Sequence, residues 1–225
     1  MSVVNDTVDW LTDSTHWSGD DGVPHRLLEH VGYTALTIGI AGAIAIPLGL
    51  WIGHTGRLRG LAVAVTGAMR ALPTLGLLTF IVLYTGIGLT APIIALVVLS
   101  IPPLLAGAYS GLESVDRQSV DAARAMGMTE WQILTKVEVP LALPLIVGGI
   151  RSAALQVVAT ATVAAFVSLG GLGRYIIDGQ KVSDYPQMAA GSVIVVVLAL
   201  VVDALFAGLQ KLALGARPIA QPARA

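Results

Sequence analysis

The chain has 225 residues, 55% of them hydrophobic and 12% charged, with a mean hydropathy of +0.80 and a formal net charge of −1. Soluble domains carry roughly 25% charged residues, so this composition excludes an ordinary water-soluble globule. There is no cysteine, which excludes disulfides, thiol catalysis and thiolate metal sites. His16, His25, His30 and His54 are scattered without metal-ligand spacing, and neither a metal nor a nucleic-acid partner is expected.

In chain order, residues 1–30 are polar and acidic, with Trp10 and Trp17 and little periodicity. They are expected to form a flexible or interfacial extracytoplasmic tail, or a short amphipathic helix lying on the membrane. Its opening, MSVVNDTVDW, has acids and no basic run, so it is not read as a secretory signal. Val31 to Gly53, Ala71 to Leu112 and Ser152 to Gly173 contain no Asp, Glu, Lys or Arg. Each run is long enough to cross a bilayer as a helix, which takes about 20 apolar residues. The runs are continuous rather than alternating, so the spans are helices and not barrel strands. The fold class is therefore an all-α polytopic membrane protein.

Five spans are expected, at 31–53, 60–86, 91–111, 143–168 and 188–211, within a membrane domain over 31–212. Arg70 and Pro73 interrupt the second. Proline removes a backbone donor and disfavours helix at the residue before it, so a break is expected at Ala71–Gly76. Arg151 lies about one turn inside the fourth span and is expected to snorkel towards the nearer interface; Asp203 in the fifth is a possible partner for an arginine. The pairs Gly39–Gly42, Gly49–Gly53 and Gly107–Gly111 are small-residue spacings that permit close helix packing. Between the last two spans lies a loop containing Gly170, Gly171 and Gly173, read as a helix-terminating turn.

The one polar interruption is the stretch DAARAMGMTEWQILTKVEVP from Asp121 to Pro140. Val120, Ala123, Met126 or Gly127, and Trp131 recur at helical spacing and predict one apolar stripe, with Asp116, Arg117, Asp121 and Arg124 away from it. Gly127 stands where a helix ends in a left-handed residue. Thr129, with Gln132 three residues on, has the spacing of a capping box. The pattern predicts a helix, a glycine corner, a second helix and Pro140. Basic residues decide the orientation. Arg57, Arg59, Arg117, Arg124, Lys136, Lys211, Arg217 and Arg224 fall on the hairpin's side, and Arg26, Arg174 and Lys181 on the other. The hairpin and the C-terminal tail at 213–225 are therefore expected in the cytoplasm, and the N-terminus outside. No convergent set of His, Ser and carboxylates points to a membrane enzyme. A carrier or channel acting alone is the competing reading, with Arg70 and Asp203 its ionisable candidates.

The same stretch resembles the cytoplasmic loop of ABC importer permeases, whose pattern is Glu-Ala-Ala, three residues, Gly, nine residues, Ile, any residue, Leu-Pro. Asp121 replaces the Glu; Ala122, Ala123, Gly127 and Pro140 match; Val137 and Val139 stand at the Ile and Leu positions. ALPTLGLL at 71–78, TGIGLTAPIIAL at 85–96, IPPLLAGAYSGLESVD at 101–116, AMGMTEWQILTKVEVPLALPLIVGGIRSA at 125–153 and VATATVAAFVSLGGLGRYI at 158–176 are similar to the glycine betaine/carnitine/choline (osmoprotectant) subfamily. The resemblance implies a methionine-importer-like permease fold in the plasma (inner) membrane, moving such an osmoprotectant or, as the alternative, another small solute such as an amino acid. It also implies a cytoplasmic coupling hairpin over 113–140 that docks on a separate ATPase, through Asp121, Ala122, Ala123, Met126, Gly127, Met128, Thr129, Trp131 and Pro140. The partners implied are ABC ATPase subunits, a second permease subunit, an extracytoplasmic substrate-binding protein and membrane lipid. No G-x-x-x-x-G-K-[ST] loop occurs here, so no cofactor is expected on this chain; ATP and Mg are expected on the partner. Arg70, Pro73, Thr74, Gly170, Gly171 and Gly173 are the expected translocation-pathway residues. The four tryptophans, at 10, 17, 51 and 131, are not clustered in sequence, and no aromatic cage for a quaternary ammonium is visible.

Overall fold

The computed structural model describes residues 2–167 and 170–215. The helices are α1 (Val3–Thr12), α2 (Val23–Thr55), α3 (Arg59–Arg70), α4 (Thr74–Thr85), α5 (Thr90–Glu113), α6 (Arg117–Ala125), α7 (Glu130–Ile133), α8 (Val139–Ala164), α9 (Gly173–Val182) and α10 (Tyr185–Gly215). Four apolar stretches, Val23–Thr55, Thr90–Glu113, Glu130–Val167 and Tyr185–Leu212, are long enough to cross a membrane. The pair α3 and α4, bent by 89°, makes up to a fifth. The expected break in the second span is present: α3 stops at Arg70, and Pro73 becomes the N-cap of α4. The C-terminal segment from 216, including Arg217 and Arg224, lies outside the described residues.

α5 is the central helix, with its largest interfaces against α2 and α8 and smaller ones against α3 and α4. Missing Cβ atoms let the backbones meet. A Cβ built on Gly49 would lie 2.6 Å from Ala108 Cβ, and one on Gly107 would lie 2.6 Å from Gly149 Cα. Gly53 and Gly111 are similarly close to Leu112 and Ala142. The expected close packing thus occurs at Gly49–Gly53 and Gly107–Gly111. Gly39 has nothing within 4 Å and Gly42 meets Ile46 of its own helix at 3.6 Å, so that third spacing is not used within this chain. Pro102 and Pro103 sit inside α5. Pro103 denies the Leu99 carbonyl its helical donor, and the Gln156 side chain of α8 supplies one at 3.1 Å. A membrane interior demands such repair, because lipid offers no hydrogen bonds.

α10 packs on α8 and α9, and α1 lies across α10. One face of α10, including Val196, Leu200, Leu205 and Leu209, is exposed, as expected of a helix facing acyl chains. The structure corrects the snorkelling expectation for Arg151. Its guanidinium donates to both carboxylate oxygens of Asp203, at 2.7 and 2.8 Å, and to Gln210 Oε1 at 3.0 Å. An arginine projecting from a span satisfies its charge more cheaply on a carboxylate of the neighbouring helix than by stretching to the interface.

The N-terminal segment contains a short helix. Residues 1–30 contain α1, capped by Ser2, a 3-10 turn at Ser14–Trp17, and the start of α2 at Val23 with Pro24 in its first turn. Trp10 stacks on His16 at a centroid distance of 4.1 Å and meets Tyr175 edge-on at 5.2 Å. These three rings, apart in sequence, cluster at one end of the bundle by packing on one another. Burial pushes the Tyr175 phenol up to about 12, and it donates to the Asp21 carbonyl at 2.6 Å. The loop between the last two spans is not irregular either, since it carries α9.

Candidate coupling surface and outer cleft

The polar hairpin forms as expected, with more local design than its pattern revealed. α6 begins at Asp116, whose side chain accepts from the Gln118 N–H at 3.2 Å. It ends in a Schellman turn. Gly127 N–H donates to Arg124 O at 2.9 Å and Met128 N–H to Ala123 O at 3.2 Å. Gly127 has φ +84°, the left-handed region that costs other residues energy. The capping box is complete: Gln132 N–H donates to Thr129 Oγ1 at 3.3 Å, and Thr129 N–H to Gln132 Oε1 at 2.9 Å. Arg124 bridges the corner with a bidentate pair to Glu130, at 2.8 and 3.0 Å, and reaches Asp121 at 3.4 Å.

The expected single apolar stripe splits in two. Val120 and Ala123 are buried with Leu112, Val115, Ile133, Ala142 and Ile146, which fixes the hairpin onto the ends of α5 and α8. Met126 and Trp131 face away, 76% and 72% exposed. The reason is the corner itself: Gly127 reverses the chain, so residues beyond it no longer continue the phase of α6. Asp121, Ala122, Met126, Gly127, Thr129 and Trp131 form the outward face, with Met128 half-buried at its edge and Ala123 beneath it. Both large apolar side chains are left uncovered within this chain.

The second helix of the hairpin does not stop at Pro140. α7 runs through a π turn, Leu134–Glu138, into α8. Pro140 has no N–H and its ring crowds the carbonyl four residues back. The ladder shifts to a wider step there, with Val139 N–H donating to Leu134 O.

The expected pathway residues fall into two groups. Arg70 and Pro73 are exposed at the α3–α4 bend, and Arg70 makes no ion pair among the described residues. Thr74 lines a void of about 10 Å³ with Thr160 and Ala164 near the end of α8. Gly170 and Gly171 lie against α2, and Gly173 lies against α8. Glu29 accepts from Gly171 N–H at 2.8 Å and from Arg26 at 2.8 Å, while Arg26 also pairs with Asp21. A Cβ on Gly170 would lie 2.3 Å from the Glu29 carboxylate, and one on Gly173 2.2 Å from Thr162 O. Beside them opens a cleft of about 480 Å³ lined by Arg26, Glu29, Tyr33, Gly88, Leu89 and Arg174. Glu29 escaped the sequence reading because its glycine partner, Gly171, stands 142 positions away. No group of three or more His, Asp or Glu is placed to hold a metal among the described residues.

Residues 45–213 match the family described as binding-protein-dependent transport system inner membrane component. The chain is 33% identical to the carnitine transport permease protein OpuCB of Listeria monocytogenes over 77% of this chain and 78% of that one. It is 33% identical to the osmoprotectant import permease protein OsmW of Salmonella typhimurium, over 91% and 95% respectively. It is 31% identical to the glycine betaine/carnitine/choline permease protein OpuCB of Bacillus subtilis, over 78% and 81%. In fold it matches a chain of the inward-facing MetNI methionine ABC transporter with a TM-score of 0.74, at 24% identity, covering 85% of this chain and 95% of that one. The architecture, the apolar spans and these likenesses agree: this multi-pass chain belongs to the binding-protein-dependent transport system inner membrane components, the permease subunits of ABC importers.

Proposed function

We propose that this permease moves osmoprotectants of the glycine betaine, carnitine or choline type, and that the outward face of the 113–140 hairpin docks on a separate ATP-hydrolysing subunit. The observation that carries the docking reading is the split of the apolar stripe. One half anchors the hairpin to α5 and α8; the other leaves Met126 and Trp131 exposed beside the bare Gly127 corner. Movement of the docked subunits pushes the hairpin as a rigid body and shifts the spans between inward-open and outward-open states, each favoured by the ligand that binds it better. ATP and Mg reside on the partner. A second permease subunit completes the pathway, and an extracytoplasmic binding protein delivers substrate to the end where Arg26, Glu29 and the GGLG loop lie. The hairpin and C-terminus are cytoplasmic and the N-terminus outside, in keeping with the excess of Arg and Lys on the hairpin's side. Arg70, Pro73 and Thr74 belong to the pathway at the α3–α4 bend. The substrate class rests on the relatives' substrates and on length-wide similarity to them.

The test is co-purification. The tagged chain is expected to bring an ATP-binding subunit from detergent extract. Ala122→Trp, at an exposed position where surface changes cost about 0.5 kcal/mol or less, is expected to leave the fold intact and abolish that recovery. Undiminished recovery with Ala122→Trp removes this face from the interface.

A further inference from the structure

A line of charged side chains runs from the hairpin to the end of α2. Arg124 grips Glu130. Glu130 Oε2 lies 3.3 Å from His54 Nε2, and His54 Nδ1 is 2.5 Å from Glu138 Oε2. His54 sits one residue before the end of α2, whereas Glu138 closes the π turn that Pro140 imposes. Glu138 is 6% exposed, and its carboxylate pairs with the His54 ring. Beside Leu50, which packs against the hairpin's buried cluster, the boundary between α2 and the hairpin opens. A groove of about 530 Å³, lined by Pro47, Leu50 and Trp51 on one side and Trp131, Leu134 and Thr135 on the other, separates them. His54 and Glu130 stand at its rim. On its other side α2 is locked to α5, where a Cβ on Gly53 would lie 2.8 Å from Leu112 Cβ.

We infer that His54, held between Glu130 and Glu138, is the strut through which displacement of the hairpin reaches α2, a positioning residue of the transport cycle. The inference rests on the docking reading above. A hairpin fixed only to α5 and α8 would reach α2 indirectly, through the packing of those helices against it. The imidazole ties two points of the hairpin, one before the π turn and one at its last residue, directly to one point of α2. Because a π turn is a wider, less regular step than the α-helix around it, it is the place where the hairpin and α8 can flex relative to each other. The strut spans that joint. His54 touches neither the exposed docking face nor the outer cleft, so its loss leaves ATPase binding intact and interrupts transmission.

The test uses the assembled transporter in liposomes, with solute accumulation and ATP hydrolysis measured together. His54→Ala and the near-isosteric Glu138→Gln are each expected to retain the co-purifying ATP-binding subunit. Accumulation per ATP hydrolysed is expected to fall roughly tenfold, within the usual range of coupling between sites. His54→Lys, which returns a polar partner to Glu138, is expected to recover much of that ratio. A folding defect lowers both rates together and leaves the ratio unchanged. An unchanged ratio in both His54→Ala and Glu138→Gln overturns the strut while docking stands. Loss of the ATP-binding subunit from both variants also overturns it, assigning these residues to the hairpin's shape instead. Absence of that subunit from the wild-type preparation overturns the docking reading itself, and the strut with it.

Discussion

Gly127→Asp is expected to insert into the membrane at normal levels and to lose ATP-coupled uptake completely. A Cβ built on Gly127 meets nothing within 4 Å, so within this chain the substitution causes no clash. The cost is confined to the backbone, since Gly127 has φ +84°. The left-handed region costs an L residue roughly 1–2 kcal/mol, and least for Asp and Asn. Such a loss leaves a membrane domain of this size folded. What changes is the outward face, where a charged side chain now projects from the tightest point of the corner beside Met126. Gly127→Asn separates charge from bulk: a partial defect there, beside a complete one in Gly127→Asp, assigns the difference to the carboxylate. Uptake of labelled glycine betaine against membrane abundance by immunoblot is the measurement. Full uptake by Gly127→Asp contradicts the coupling role.

Gly149→Leu is expected to have the largest effect on stability. Gly149 faces Gly107 across the α5–α8 interface, and a Cβ at Gly149 would lie 2.8 Å from Gly107 Cα and 2.9 Å from Pro103 O. Both neighbours are backbone atoms of a helix, and no rotamer change relieves them. Forcing extra methylenes into a packed core costs typically 1–3 kcal/mol, and here the helices themselves must part, so a loss of about 3 kcal/mol is expected. Separation would also strand the Leu99 carbonyl that Gln156 of α8 now satisfies. Gly39→Leu is the control. Nothing lies within 4 Å of a Cβ at Gly39, and the change gains up to about 1 kcal/mol of helix propensity. Thermal unfolding in detergent separates the two. A Gly149→Leu protein as stable as wild type would show that α5 and α8 do not meet at this crossing.

The spans were legible because charge-free runs of membrane length leave no other structure open to them. The hairpin was legible because its signals are local: Gly127, Thr129 with Gln132, and Pro140 act within a few residues of themselves. What could not be read is what depends on partners far along the chain. Arg151 looks like a snorkelling arginine until α10 places Asp203 beside it. Glu138 looks like one more charge on a solvated loop until the π turn carries it inward to His54. The stripe of Val120, Ala123, Met126 and Trp131 has helical spacing throughout, yet the corner at Gly127 divides it into a buried and an exposed half. Residues 1–30 read as a tail because their few apolar groups lack a period. Trp10 finds its cover on Tyr175, which periodicity does not reveal.

The most direct test of the central claim uses the absence of native cysteine. Met126→Cys places one thiol on the exposed hairpin face, and Tyr84→Cys places one at an equally exposed site, 79% against 76%, at the end of α4. Each is treated with a short thiol-to-amine cross-linker in native membranes, and the adducts are identified by mass. The account expects a covalent adduct between an ATP-binding subunit and the chain carrying Met126→Cys, and none with Tyr84→Cys. An unlinked Met126→Cys chain in membranes that still accumulate substrate would contradict it.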